Sequence, residues 1–157
     1  MKRPPMDVLA VLGPEPPALT DAEVSALLEI AYFTTAANGD LSDEECDAYR
    51  VAAPRLRVLG GAPARAPLTD KELRAELDAF EIHLRNTTVD DRLQELARAL
   101  PEGAPRERAY AVSYAFSLCD WETNADERRF LAALARALGL TSRAPSIERA
   151  AERALGL

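Results

Sequence analysis

Aromatic residues are scarce in this chain of 157 residues: four Phe, four Tyr and one Trp, 6% of the total. Val and Ile are sparse as well. Strands draw on β-branched and aromatic residues for their half-buried faces, so a strand-rich sandwich or barrel is poorly supported. Cysteine occurs twice and histidine once. Two cysteines make no disulfide framework, and with one histidine they cannot fill a four-ligand zinc site. No apolar run approaches the roughly 18 residues that a membrane span needs. The opening Met1-Lys2-Arg3-Pro4-Pro5 lacks the apolar stretch and cleavage site of a secretory signal, which points to a cytosolic protein. Positive charge is not in excess either: the formal net charge is -7 and the pI is near 4.8. Nucleic-acid backbones are gripped by basic faces, so that class of partner is excluded.

What the chain has in abundance is Ala, Leu, Arg and Glu, the strongest helix formers. Its length suits one domain with a single sizeable core. Residues 1–19 read as a Pro-rich segment with one short apolar turn, Val8 to Leu12, able to dock on the body. Residues 20–157 read as one helical domain. Thr20-Asp-Ala-Glu23, Ser42-Asp-Glu-Glu45 and Thr69-Asp-Lys-Glu72 match the capping box that starts helices, and Asn124-Ala-Asp-Glu127 is a close variant. Each precedes an apolar-periodic run. The expected fold is all-α, a bundle of about seven helices.

The apolar stripes place those helices. Val24, Leu27, Leu28, Ala31 and Thr35 line one face of a helix from Thr20 to Ala37. Leu73, Leu77, Phe80 and Leu84 do so from Asp70 to Arg85, and Leu93, Leu96, Ala97 and Leu100 mark a shorter helix ended by Pro101 and Gly103. Tyr110, Tyr114, Leu118 and Trp121 form a stripe after Pro105, a good first-turn residue. Phe130, Leu131, Leu134 and Leu138 follow, with Gly139 placed to end the helix in a left-handed conformation. The helix opening at Asp43 is expected to break or kink at Pro54. Gly60 to Pro67 reads as a linker, and a last helix is expected from Ser146 to Leu155.

Two segments also superpose at a fixed offset of 82 residues. Ile30-Ala-Tyr32 meets Val112-Ser-Tyr114, Asn38-Gly-Asp40 meets Asp120-Trp-Glu122, and Ser42 to Glu45 meets Asn124 to Glu127. Further on, Ala53 meets Ala135 and Leu56 meets Leu138. Each copy is an apolar helix, a short acidic loop, a polar cap and a second helix. The bundle is therefore expected to rest on two related helix-loop-helix repeats whose acidic loops lie at one end.

Here the sequence resembles a known family. The run Ala-Ala-Asn-Gly-Asp-Leu-Ser-Asp-Glu-Glu, Ala36 to Glu45, is similar to the first signature of the tellurite-resistance TerB family. The acidic loop and the helix ending Ala-Leu-Gly-Leu, within Asp120 to Leu140, resemble its second signature. Asn38 stands where the family has Asp, and Trp121 stands where it has Gly. The resemblance spans Thr20 to Leu140 and implies a helical bundle acting in stress and tellurite resistance. It further implies divalent-metal binding and protein partners in membrane-associated complexes.

The residues themselves allow two readings of the acidic loops. Asn38, Asp40 and Glu45, with Asp120, Glu122 and Glu127, carry the hard oxygen ligands that Ca²⁺, Mg²⁺ or Mn²⁺ takes. The same acids also suit the positive ends of helices, and the capping boxes account fully for Glu45 and Glu127. Each loop is too short for an EF-hand. Between Thr20 and Arg50 there are eight acidic residues and one basic one, so the net charge concentrates in the first repeat. Cys46 sits in a first helical turn where the dipole could lower its pKa, and Cys119 precedes the second acidic loop. Only His83 is available as a base, and nothing spaces it as a metal ligand, so nucleophilic catalysis is disfavoured. Tyr32, Tyr114 and Trp121 are candidates for framing a ligand pocket, although aromatics at helical spacing usually belong to a core. The expectation is a non-enzymatic binding module holding a divalent cation, or else an interaction adaptor with an acidic face and no metal.

Overall fold

Helix starts fall where the capping sequences put them. The computed structural model describes residues 5–37, 41–119 and 124–157, and among these there are seven α-helices and no strand. They are α1 (Asp21–Ala36), α2 (Asp43–Leu59), α3 (Asp70–Leu84), α4 (Val89–Arg98), α5 (Ala104–Ser117), α6 (Ala125–Leu138) and α7 (Ala144–Ala154). In all four expected boxes the cap oxygen accepts from the Glu amide, at 2.8–3.2 Å for Thr20, Ser42, Thr69 and Asn124. The Glu carboxylate accepts in return from the cap amide. Two of the four donors that every helix start leaves unbonded are thereby satisfied. At the far end of α6, Gly139 takes the left-handed conformation at φ 72°, as expected of a helix stop. Arg106 serves this end and that of α4, donating to the carbonyls of Leu138 on α6, Ala97 on α4 and Leu100 just beyond it.

The expected break at Pro54 does not occur: α2 runs without interruption from Asp43 to Leu59. A proline inside a helix leaves the carbonyl four residues earlier without its N–H donor. Here that carbonyl belongs to Arg50, and the Leu68 amide donates to it at 3.0 Å. Leu68 is buried and immediately precedes the Thr69 cap, so the end of the linker both supplies the missing donor and seats α3. The helix at the C-terminus also begins earlier than expected, at Ala144, because Pro145 is compatible with a first turn.

α1 and α5 differ from their expected single stripes. Both are buried on nearly all sides, α1 from Glu23 to Thr35 except Ser25 and α5 from Ala109 to Ser117. They form the most extensive helix pair in the fold, and the remaining elements wrap around them. The apolar run Ala26 to Phe33, interrupted only by Glu29, already had the all-round character of a central helix. At the centre the Thr34 and Ser113 hydroxyls meet at 2.5 Å, so this buried polar pair between the two helices is satisfied internally. The 3-10 helix Val8–Leu12 docks on α5, α7 and α2, burying Val8 and Leu9 in the same core.

The repeat is visible in three dimensions. Ile30 and Val112, Tyr32 and Tyr114, Glu45 and Glu127, Ala53 and Ala135, and Leu56 and Leu138 are buried in both copies. Thr35 and Ser117, again 82 apart, each donate a hydroxyl to the carbonyl of the Tyr three residues earlier.

A second outcome of this packing concerns alkali. Tyr110 donates to Glu148 at 2.7 Å and Tyr114 to Glu152 at 2.8 Å, clasping α7 to α5. Burial first, and then these carboxylates, raise both phenols, Tyr114 to about 12. Tyr49 is raised by burial and by Glu76. The folded chain thus keeps protons that the unfolded chain releases near pH 10. This contribution to stability is complete below about pH 10 and is lost progressively above it, for Tyr114 by about pH 12 and for Tyr110 and Tyr49 at higher pH still. Urea unfolding at increasing alkaline pH is expected to show that decline, and Tyr110→Phe with Tyr114→Phe to flatten it. An alkaline limb as steep in the double variant as in the wild type would contradict the clasp.

Candidate functional site

The two hairpins seat into each other reciprocally. On one side Phe33 and Ala36 of α1, with Ala37 that caps it, share a cavity wall with Asp126, Arg129 and Phe130 of α6. On the other, Tyr49 of α2 meets Phe116 at the end of α5, with ring centroids 6.4 Å apart. Each first helix therefore ends against the opening turns of the other copy's second helix. The described flanks of the two junctions are therefore neighbours in the fold; the acidic loops themselves, residues 38–40 and 120–123, lie outside the described residues.

Glu45 and Glu127 stand at equivalent places beside those junctions and are 2% and 1% exposed. One carboxylate oxygen of each accepts from its cap amide, Ser42 at 3.0 Å and Asn124 at 3.4 Å. Their helix-capping role is thus realised. Asn38, Asp40, Asp120 and Glu122 lie outside the described residues, as does Trp121. Among the described residues, no group of three or more His, Cys, Asp or Glu side chains is placed to hold a metal ion. The donors that the sequence assigns to the two junctions are all oxygens, a set that fits Ca²⁺, Mg²⁺ or Mn²⁺ and not a thiolate- or imidazole-seeking metal.

Of the other candidates, Cys46 departs from its expectation, while Cys119, Tyr32 and Tyr114 take the core places usual for such residues. Cys46 does not have a lowered pKa; partial burial pushes its thiol up, and the carboxylates of Glu45 and Asp43 push it further. A helix start helps a thiolate only where neighbouring charge is not negative, and this one is acidic. Cys119 is buried, with its Sγ directed at the Ala115 carbonyl. Tyr32 and Tyr114 do not frame one pocket: Tyr32 stacks on Phe80 of α3 at 5.2 Å, whereas Tyr114 faces Glu152 of α7 with Arg128 over its ring.

Sequence reasoning missed a polar knot. Glu29, in the middle of α1 and 3% exposed, accepts from Arg92 of α4 through Nε at 2.5 Å and Nη2 at 2.9 Å. His83 of α3 adds Nδ1 at 3.0 Å, so one carboxylate joins three helices. The local signal was a lone acid inside an apolar run, a position that requires a buried partner. The apolar cavity between α1 and α6 was missed too, because its walls come from four separate helices.

The fold defines an all-α bundle of two interlocked helix-loop-helix copies. No family model matches the chain, and no curated protein or solved structure matches it either. No helix among the described residues is long and apolar enough to cross a membrane.

Proposed function

We propose that this chain is a non-catalytic, TerB-like binding module of the cytosol that holds a divalent cation at its two acidic helix junctions and serves a stress-response assembly. The reciprocal seating of the hairpins supports this reading, because it makes the described flanks of the two junctions neighbours. Asp40 and Glu122 would be the principal ligands, with Asn38 and Asp120 beside them. Glu45 and Glu127 hold the adjoining helix starts in place. A bound ion would neutralise acids that otherwise repel one another and would tie the two hairpins together.

Thermal unfolding with Ca²⁺, Mg²⁺ or Mn²⁺ at millimolar concentration tests the reading. A ligand of the folded state at ten times its Kd adds about 1.4 kcal/mol, a rise in Tm of about 3–6 °C for a chain of this size. That rise is expected for at least one of the three ions and should disappear in Asp40→Asn/Glu122→Gln. A Tm unmoved by all three ions would overturn the cation reading. The adaptor reading, in which the acids only steer a partner, draws on the exposed Asp43, Glu44, Asp90 and Asp91 at the starts of α2 and α4. It gains if the double variant weakens partner capture in a salt-dependent way with no metal response in either protein.

A further inference from the structure

A cavity of about 310 Å³ is set between α1, α6, the last turn of α3 and the first turn of α4. Phe33 and Phe130, both buried, form its back. Ala36 of α1 and Ala133 of α6, both partly buried, line it as well, together with Leu84 and Val89. The two alanines leave room where any larger residue would close the groove. Val89 is 42% exposed at the first position of α4, where a β-branched residue is not a favoured helix former. Such a residue makes sense as half of an apolar contact.

The polar groups at the mouth are mostly of one sign. Asp90 opens α4 and Asp126 opens α6 on the rim, and the nearby Arg129 is drawn onto Asp126. Asp91, next to Asp90 in the first turn of α4, is exposed as well. An occupant must therefore be apolar where it enters and cationic where it meets the rim. Because the walls are helices, whose backbone groups bond within themselves, no sheet edge invites an added strand among the described residues. Recognition falls to side chains, the situation in which an amphipathic helix lies in a groove.

The geometry points to a docking groove for an amphipathic helix of a partner protein, with apolar side chains one turn apart entering between Ala36 and Ala133 and Lys or Arg beside them meeting Asp90 and Asp126. The same carboxylates disfavour an anionic lipid surface. This inference goes beyond the cation reading and does not depend on it.

The test is fluorescence anisotropy with the full chain in EDTA, which removes any divalent cation from the comparison. The probe is a labelled peptide of Leu, Ala and Lys, about five helical turns long, with Leu at i, i+3, i+4 and i+7. A scrambled peptide of the same composition is the control. The faced peptide is expected to bind at least about ten-fold more tightly than the scrambled one, a difference of 1.4 kcal/mol. Ala133→Phe, which fills the groove from α6, and Ala36→Leu, which fills it from α1, are each expected to remove that advantage while retaining a helical thermal melt. Asp90→Asn/Asp126→Asn is expected to weaken binding and reduce its salt dependence. Equal binding of the two peptides would reduce the groove to bulk charge attraction and overturn the proposal. So would full binding by both filled variants. Concentration-dependent dimerisation that Ala133→Phe abolishes, without preference for the faced peptide, would also overturn it by making a second copy of the chain the occupant.

Discussion

Arg92→Met is expected to destabilise the protein by about 3–5 kcal/mol, because it strips the cationic partner from a buried carboxylate. Glu29 is 3% exposed in the middle of α1, and Arg92 supplies two of its contacts, at 2.5 and 2.9 Å. The remaining one comes from His83, whose side chain is 51% exposed and tethered through a single ring nitrogen. A charge left in that position without Arg92 loses more than the ion pair contributed, since its desolvation is no longer offset. His83→Ala removes one contact at a half-open site and is expected to cost about 1 kcal/mol or less. Glu29→Leu combined with Arg92→Met should recover most of the loss, because a well-packed apolar replacement of a buried pair is close to neutral. Urea unfolding of the three variants measures the order. If Arg92→Met costs less than His83→Ala, the knot is not what joins α1, α3 and α4.

The same knot shows where sequence reading stops. Periodicity and capping are local, so the helix starts at Thr20, Ser42, Thr69 and Asn124 and the stop at Gly139 could be read residue by residue. The burial of Leu56 with Leu138 and of Ala53 with Ala135 followed from the repeat. Contacts between distant segments leave no such trace. Nothing near Glu29 names Arg92, which lies 63 residues away. Pro54 read as a helix breaker because its local rule is correct, and only the Leu68 amide, arriving from beyond the linker, sets the rule aside. Cys46 shows local rules in conflict: the helix dipole favours a thiolate, while burial, the larger effect, and the acids around the helix start oppose it and together prevail. The acidic junctions were legible as a pattern. That their flanks are neighbours depended on the reciprocal packing of α1 against α6 and of α2 against α5, which follows from the duplication and not from either loop.

Leu56→Ala and Leu138→Ala test that packing most directly. The two residues are equivalent in the repeat, at 0% and 2% exposure, and they sit on the second helix of each copy. Truncating a buried Leu removes its transfer free energy and leaves a cavity, for a total of about 2–5 kcal/mol. Equivalent places predict losses of the same order, but the surroundings differ in their capacity to relax. α2 continues to Leu59 and is pinned there by the amide of Leu19, which donates to the Leu59 carbonyl at 2.9 Å. α6 ends at Leu138 itself, next to the left-handed Gly139, and there its carbonyl accepts a longer bond, 3.3 Å, from the flexible Arg106 side chain instead of a backbone clamp. A helix end can settle into a void more readily than a clamped segment, and relaxation is what separates cheap from costly truncations. Leu56→Ala is therefore expected near the upper end of the range and Leu138→Ala nearer the lower. Equilibrium unfolding in urea, with unchanged m-values to show that the folded state keeps its compactness, decides the order. A cost below about 1 kcal/mol at either site would fall outside the range for a filled core position, and the interlocking of the two hairpins would fail with it.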